Sequence, residues 1–232
     1  MTVESRSFDP IWEDEIYGQG RQLNRYPFDA VVSFVFRNTP RDRPRHDVRI
    51  LEIGCGAGNN LWFAAREGFS VTGIDASASA IAVAQRRLAD EGFEADLQVG
   101  DFAVLPFEDD RFDLAIDRCA LTCSGRSVTH RAVGEIHRVL KAGGFFFCNP
   151  YSDVHSSCAS GEHGSDGLVL NIHSGTLVGV GQICFYNLAQ VKALFAEGWI
   201  MRSVQHSVIT EELDDPPTFH AEWRVIAQKS LR

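Results

Sequence analysis

An α/β fold, in which short parallel strands alternate with helices, is what this sequence predicts, and three observations carry the prediction. Apolar runs of strand length alternate with amphipathic runs of helix length through the middle of the chain. The first strand, residues 50–53, enters a glycine turn at Gly54, Gly56 and Gly58, and the second, residues 71–75, ends on Asp75. The length of 232 residues suits one core of the common α/β size and leaves no room for a second full domain.

Asp9-Pro10 reads as a helix start, an N-cap acceptor followed by proline at the first helical position, with Ile11, Trp12, Ile16 and Tyr17 as its apolar stripe. A second amphipathic run carries Phe28, Val31, Val32, Val35 and Phe36, so two helices precede the first strand. Glycines belong at the turn that follows because a side chain there would keep the backbone away from a bound ligand, while free N–H groups at the next helix start attract negative charge. Asp75, about twenty residues further on, stands where an acid accepts both hydroxyls of a ribose. Ser77 or Ser79 caps a third helix with Ile81, Ala84 and Leu88 on one face, and a third strand around Leu97 and Val99 ends at Gly100-Asp101-Phe102. The fourth strand ends on Asp117 and is followed by Arg118. A helix over 129–140 and an all-apolar fifth strand over 145–148 deliver Asn149-Pro150-Tyr151 to the same sheet edge. Residues 156–181, rich in serine and glycine, are too long for a simple connection. They read as an insertion, a hairpin of 168–172 with 177–180, that walls a site. A helix over 187–198 and two closing strands, 204–209 and 223–227, complete the chain.

The glycine order is G-x-G-x-G with an acid two residues ahead, unlike the G-x-G-x-x-G that cradles a pyrophosphate. The stretch Glu52-Ile53-Gly54-Cys55-Gly56-Ala57-Gly58 resembles motif I of the class I, Rossmann-like, S-adenosylmethionine-dependent methyltransferases. Leu105-Pro106-Phe107-Glu108-Asp109-Asp110-Arg111-Phe112-Asp113-Leu114 is similar to the family's passage from motif III into the fourth strand, and Lys141-Ala142-Gly143-Gly144 to its "L-K-P-G-G" turn, with alanine where proline is usual. The resemblance implies a seven-stranded, mostly parallel twisted sheet with helices on both faces and an antiparallel last strand. It implies an N-terminal helical lid over residues 1–46 and a methyltransferase domain over 47–232 with an insertion at about 152–184. It implies S-adenosyl-L-methionine as donor, held by Glu52, Gly54, Cys55, Gly56, Asn59, Asp75, Ala76, Asp101, Phe102 and Asp117, with Arg21 and Tyr26 reaching in from the extension. Asp101 takes the adenine amine in this reading; capping the next turn is its other role.

Methyl transfer from a sulfonium is an in-line displacement, so positioning and exclusion of water supply much of the rate. A base is needed only where the nucleophile loses a proton. His155, Asp117 and Tyr151 are the candidates, with His130 a further one, and none lies in a motif that fixes it as a catalyst. Tyr17, Arg118, Asn149 and Tyr151 are the candidate acceptor contacts. Arg118 and Arg21 point to a small polar metabolite or sugar-derived acceptor carrying a carboxylate or phosphate, methylated on oxygen or nitrogen; each guanidinium could equally meet the donor's own carboxylate or a structural acid. Two other classes share the βαβ unit, a nicotinamide-dependent oxidoreductase and a cofactor-binding module without catalysis.

A net charge of −9 disfavours general nucleic-acid binding, and with it an RNA acceptor. The one basic run, 37–49 with Arg41, Arg43 and Arg45, is broken by Pro40 and Pro44 and reads as a solvated linker. Glu4, Arg6, Asp9 and Glu13 interrupt any apolar leader, and no run is long enough to span a bilayer, so a cytoplasmic protein is expected, as a monomer or a homodimer. The six cysteines show neither C-x-x-C pairing nor metal spacing and read as reduced core thiols; no metal is expected.

Overall fold

The computed structural model describes residues 8–231; Glu4 and Arg6, used above against a leader, lie outside them. A π-helix, Trp12–Tyr17, comes first, its wide turn marked by Gly18 N donating to Glu13 O at 2.8 Å. The elements then run α1 (Asp29–Asn38), β1 (Arg49–Ile53), α2 (Asn59–Arg66), β2 (Ser70–Asp75), α3 (Ala78–Ala89), β3 (Asp96–Val99) and β4 (Phe112–Asp117). They continue with α4 (Arg126–Val139), β5 (Leu140–Cys148), β6 (Glu162–His163), β7 (Leu168–Leu170), β8 (Ile183–Cys184), α5 (Leu188–Leu194), β9 (Trp199–Glu211) and β10 (Thr218–Lys229).

Seven strands form one sheet in the order β3-β2-β1-β4-β5-β10-β9. Neighbours from β3 to β5 are parallel, while β10 runs antiparallel to both β5 and β9. The sheet class expected from the sequence is therefore present. Period-two alternation sorts the side chains onto two faces. Leu51, Ile53, Ala115 and Phe146 pack with α4 and α5, and Ile50, Leu114, Ile116 and Phe147 with α1, α2 and α3. Strand order reverses between β1 and β4, and there the carboxyl ends of the strands open a crevice.

Some boundaries differ from the sequence reading for local reasons. In the insertion β7 pairs with β6 and with β8 at 183–184, and 177–180 is not a strand. Helix α5 stops at Leu194 because Phe195 turns into the core, where its ring sits 5.7 Å from Trp199. Helix α4 runs straight into β5, and Gly143, at φ +77°, and Gly144 lie in the irregular start of that strand, where its register against β4 shifts. Strands β9 and β10 extend well past their apolar centres, since backbone pairing carries their polar flanks. The basic run is not merely solvated: Arg43 meets buried Asp113 at 2.5 Å, and Arg45 pairs with Glu67 at 2.8 Å and lies over Phe36 and Phe69. Among the described residues no helix is long and apolar enough to cross a membrane, and no cluster of ligating side chains could hold a metal.

Candidate active site

One cavity opens at the carboxyl ends of β1, β2 and β4. The turn after β1 forms its floor. Gly54 and Gly56 have φ of +56° and +51°; a Cβ on the first would overlap Ala120, and one on the second would overlap Tyr17 Oη. Asp75, at the end of β2, stitches this turn to the next: its Oδ2 accepts from Gly56 N at 2.8 Å and its Oδ1 from Ser77 N at 2.9 Å. Burial raises its pKa against the pull of those two bonds.

Glu52 is only half satisfied in the cavity. Its Oε1 accepts from Asn60 Nδ2 at 2.7 Å, whereas its buried Oε2 has no hydrogen-bond partner. Burial pushes its carboxyl up to about 8. Asn59 lines the cavity and donates to Tyr26 O at 2.9 Å, and Asn60 Oδ1 accepts from Phe28 N at 3.0 Å, so the start of α2 tethers the N-terminal segment. Cys55, Ala76 and Phe102 also line the cavity. Asp101 does not; its Oδ1 accepts from Ala103 N at 2.8 Å, the turn-capping arrangement.

The loop after β4 forms the opposite wall. Asp117 is fully buried behind it, accepting from Ala120 N at 2.8 Å and Leu121 N at 3.0 Å, and burial raises its pKa. It holds the loop in place and does not line the cavity. Arg118 does, with its guanidinium stacked 4.2 Å over Phe28, 3.5 Å from Glu222 and bonded to Cys119 and Tyr151. Glu222 is a buried acid whose burial is outweighed by His220, Arg118 and Arg224, which hold its carboxyl down to about 2.

Of the three candidate bases only Tyr151 faces the cavity. His155 stands behind it, 5.6 Å between ring centroids; its Nδ1 accepts from Ser157 N at 3.0 Å and its Nε2 lies 3.1 Å from Thr176 Oγ1 and 3.3 Å from His220 Nδ1. Burial and the neighbouring His220 lower its pKa to about 4. Asn149 is fully buried and donates to Trp223 O at 2.7 Å, and it too lies off the cavity. Arg21 and Tyr26 are exposed and outside the lining, and His130 is exposed on α4. Tyr17 lies against the glycine turn, its phenol raised in pKa by burial and then by Asp75.

The sequence reading expected the insertion and the N-terminal segment to wall the site without naming these of their residues. Leu177, Val180 and Ile183 come from the insertion and Phe8, Asp9 and Trp12 from the N-terminal segment. That segment is pinned at two points. Asp9 Oδ2 accepts from Gln182 N at 3.0 Å, and Glu13 accepts from Ser79 Oγ at 2.7 Å, from Ser79 N at 3.1 Å and from Ser77 Oγ. The signal was in the sequence as Asp9 and Glu13 flanking an apolar stripe, but their partners lie far along the chain.

Comparison with known proteins agrees with this geometry. Residues 50–144 match the family described as a methyltransferase domain. The human mitochondrial 2-methoxy-6-polyprenyl-1,4-benzoquinol methylase is 35% identical over 97 residues, 40% of this chain and 28% of that one. The phthiotriol/phenolphthiotriol dimycocerosates methyltransferase of Mycobacterium tuberculosis is 32% identical over 108 residues, 46% of this chain and 37% of that one. These matches thus span well under half the length of the curated relatives. A solved S-adenosylmethionine-dependent methyltransferase from Methanosarcina mazei superposes with a TM-score of 0.70 at 22% identity, covering 89% of this chain and 100% of that one, and shares the fold.

Proposed function

We propose that the chain is a class I S-adenosylmethionine-dependent methyltransferase, as its methyltransferase-domain match and shared fold support, and that it transfers a methyl group from S-adenosylmethionine to an oxygen or nitrogen of a small metabolite. The observation that carries this reading is the meeting, in one cavity, of the bare glycine turn, Asp75 and the orphaned Oε2 of Glu52. An unpartnered buried carboxylate oxygen suits the ammonium of an amino-acid donor, and Asp75 suits a ribose. We assign Gly54, Cys55, Gly56, Asn59, Ala76 and Phe102 to the same ligand because they line that cavity. The donor supplies an electrophilic methyl on a sulfonium.

The residues of this chain then orient the acceptor and exclude water. Residues 8–46 act in this reading as the lid, and the insertion as the outer wall. Tyr151 is the proton-handling candidate, since it faces the cavity and Asp117 and His155 do not. Of the small polar or sugar-derived acceptor expected from the sequence, the reacting hydroxyl or amine is kept in this reading, while an anionic group on it loses support. Arg21 is exposed off the cavity and Arg118 already has Glu222. Calorimetry tests the donor: S-adenosylhomocysteine binds at micromolar strength or better and NADH does not. Binding of NADH instead would favour the oxidoreductase. A screen with labelled methyl donor separates an enzyme from a module that only binds.

A further inference from the structure

The acceptor side of the cavity is apolar and electrically compensated. Leu177 and Ile183 form one flank with Val180 and Tyr151 packed against them, and Trp12 also lines the cavity, its ring 5.8 Å from Tyr17. Its charged groups are already engaged. Arg118 lies 3.5 Å from Glu222 and on the Phe28 ring, and Asp9 accepts from Ile11 N at 3.1 Å and Gln182 N at 3.0 Å. A carboxylate or phosphate entering here would lose its water and meet Arg118 as the one cation among the described lining residues, already beside Glu222, which Arg224 shares, a costly exchange. An apolar body gains by the same transfer.

Besides Glu52 Oε2, one polar atom of the lining residues is unspent. Trp12 lines the cavity, and its Nε1–H is buried without a hydrogen-bond partner. A buried donor left unpaired is expensive, and an oxygen that accepts from it removes the cost.

We propose that the acceptor is an uncharged molecule with an apolar body, presenting a hydrogen-bond-accepting oxygen to Trp12 Nε1, and that Trp12 selects it. This rests on the methyl-transfer reading above and narrows its acceptor. The other described groups near that oxygen keep their present partners: Arg118 stays with Glu222, and Tyr151 stays beside Arg118 and Cys119.

The full chain, saturated with S-adenosylhomocysteine, is titrated by calorimetry with 2-naphthol and with 6-hydroxy-2-naphthoate. The two probes share a ring system and a hydroxyl and differ in the carboxylate. The uncharged probe is expected to bind at least tenfold more tightly. Trp12→Phe keeps a ring and removes the donor, and is expected to weaken 2-naphthol about three- to tenfold, the value of one neutral hydrogen bond. A melting curve establishes that the variant is folded, and the two-probe comparison on the unaltered chain does not depend on it. Equal or tighter binding of the carboxylate, no binding of 2-naphthol, or an unchanged affinity in folded Trp12→Phe would overturn the proposal. Absence of S-adenosylhomocysteine binding in the first step would instead remove the methyltransferase reading, and this proposal with it.

Discussion

Glu52→Gln gives the most discriminating test of the donor site, because it keeps the side chain's shape and its bond from Asn60 while removing the charge. The folded carboxyl titrates near 8, against a usual value of 4.5. The unfolded chain therefore releases this proton first, and between those values the native state binds more protons. Stability is full below about pH 4.5 and is lost as pH rises toward 8. At about 1.4 kcal/mol per unit the displacement sets a ceiling near 5 kcal/mol, and relaxation around the charge reduces this to roughly 2 kcal/mol. For a chain of this size that is about 4–8 °C in melting temperature. The unliganded protein should melt progressively lower from pH 5 to pH 8, and Glu52→Gln should lose most of that slope and melt higher at pH 8. The same variant should bind S-adenosylhomocysteine roughly 10- to 100-fold more weakly, the value of a hydrogen bond to a charged group. Parallel melting profiles in the two proteins, or undiminished affinity in the variant, would refute the assignment of Glu52 as the cation's partner.

Other perturbations probe the walls. Gly56→Ala places a Cβ against Tyr17 at a left-handed φ of +51° and should destabilise the chain by about 1–3 kcal/mol and reduce S-adenosylhomocysteine affinity at least tenfold; calorimetry and melting curves read both. His155, whose pKa is lowered to about 4, should take stability away as pH falls from about 6.5 toward 4, by roughly 1–2 kcal/mol once partial water access is allowed for. His155→Gln should flatten that part of the acid melting profile. Glu13→Gln weakens the latch onto the start of α3 by about 1 kcal/mol, so trypsin should cut faster after Arg21 and Arg25; an unchanged rate would show that the latch does not hold the segment down.

The parts of the site written in consecutive residues were legible. Glu52, the three glycines and Asp75 span one strand-turn-helix-strand unit, so spacing alone predicts their meeting. The mostly parallel sheet was implied by the resemblance, and the all-apolar fifth strand by its cover on both faces, whereas the order of the strands came from the structure. What joined distant stretches was not legible. Arg118 has three possible partners in the sequence, an acceptor anion, the donor's carboxylate or a structural acid, until Glu222 arrives from the last strand. His155 reads as an open loop residue until Thr176 and His220 close around it. Trp12 was assigned to packing on a 3.6-residue period, and the wider π turn is invisible to that period. Asp101 shows the opposite limit: two roles fit its position, and the next turn's backbone N–H takes its oxygen.

The double pinning of the N-terminal segment bears on how the molecule matures. Asp9 is translated long before Gln182, which it grips and which follows the whole parallel half of the sheet. Contacts of such long sequence separation form late. The ligand chamber is therefore finished only once residue 182 has been made, and a nascent chain stalled before it would carry the sheet's floor without a roof.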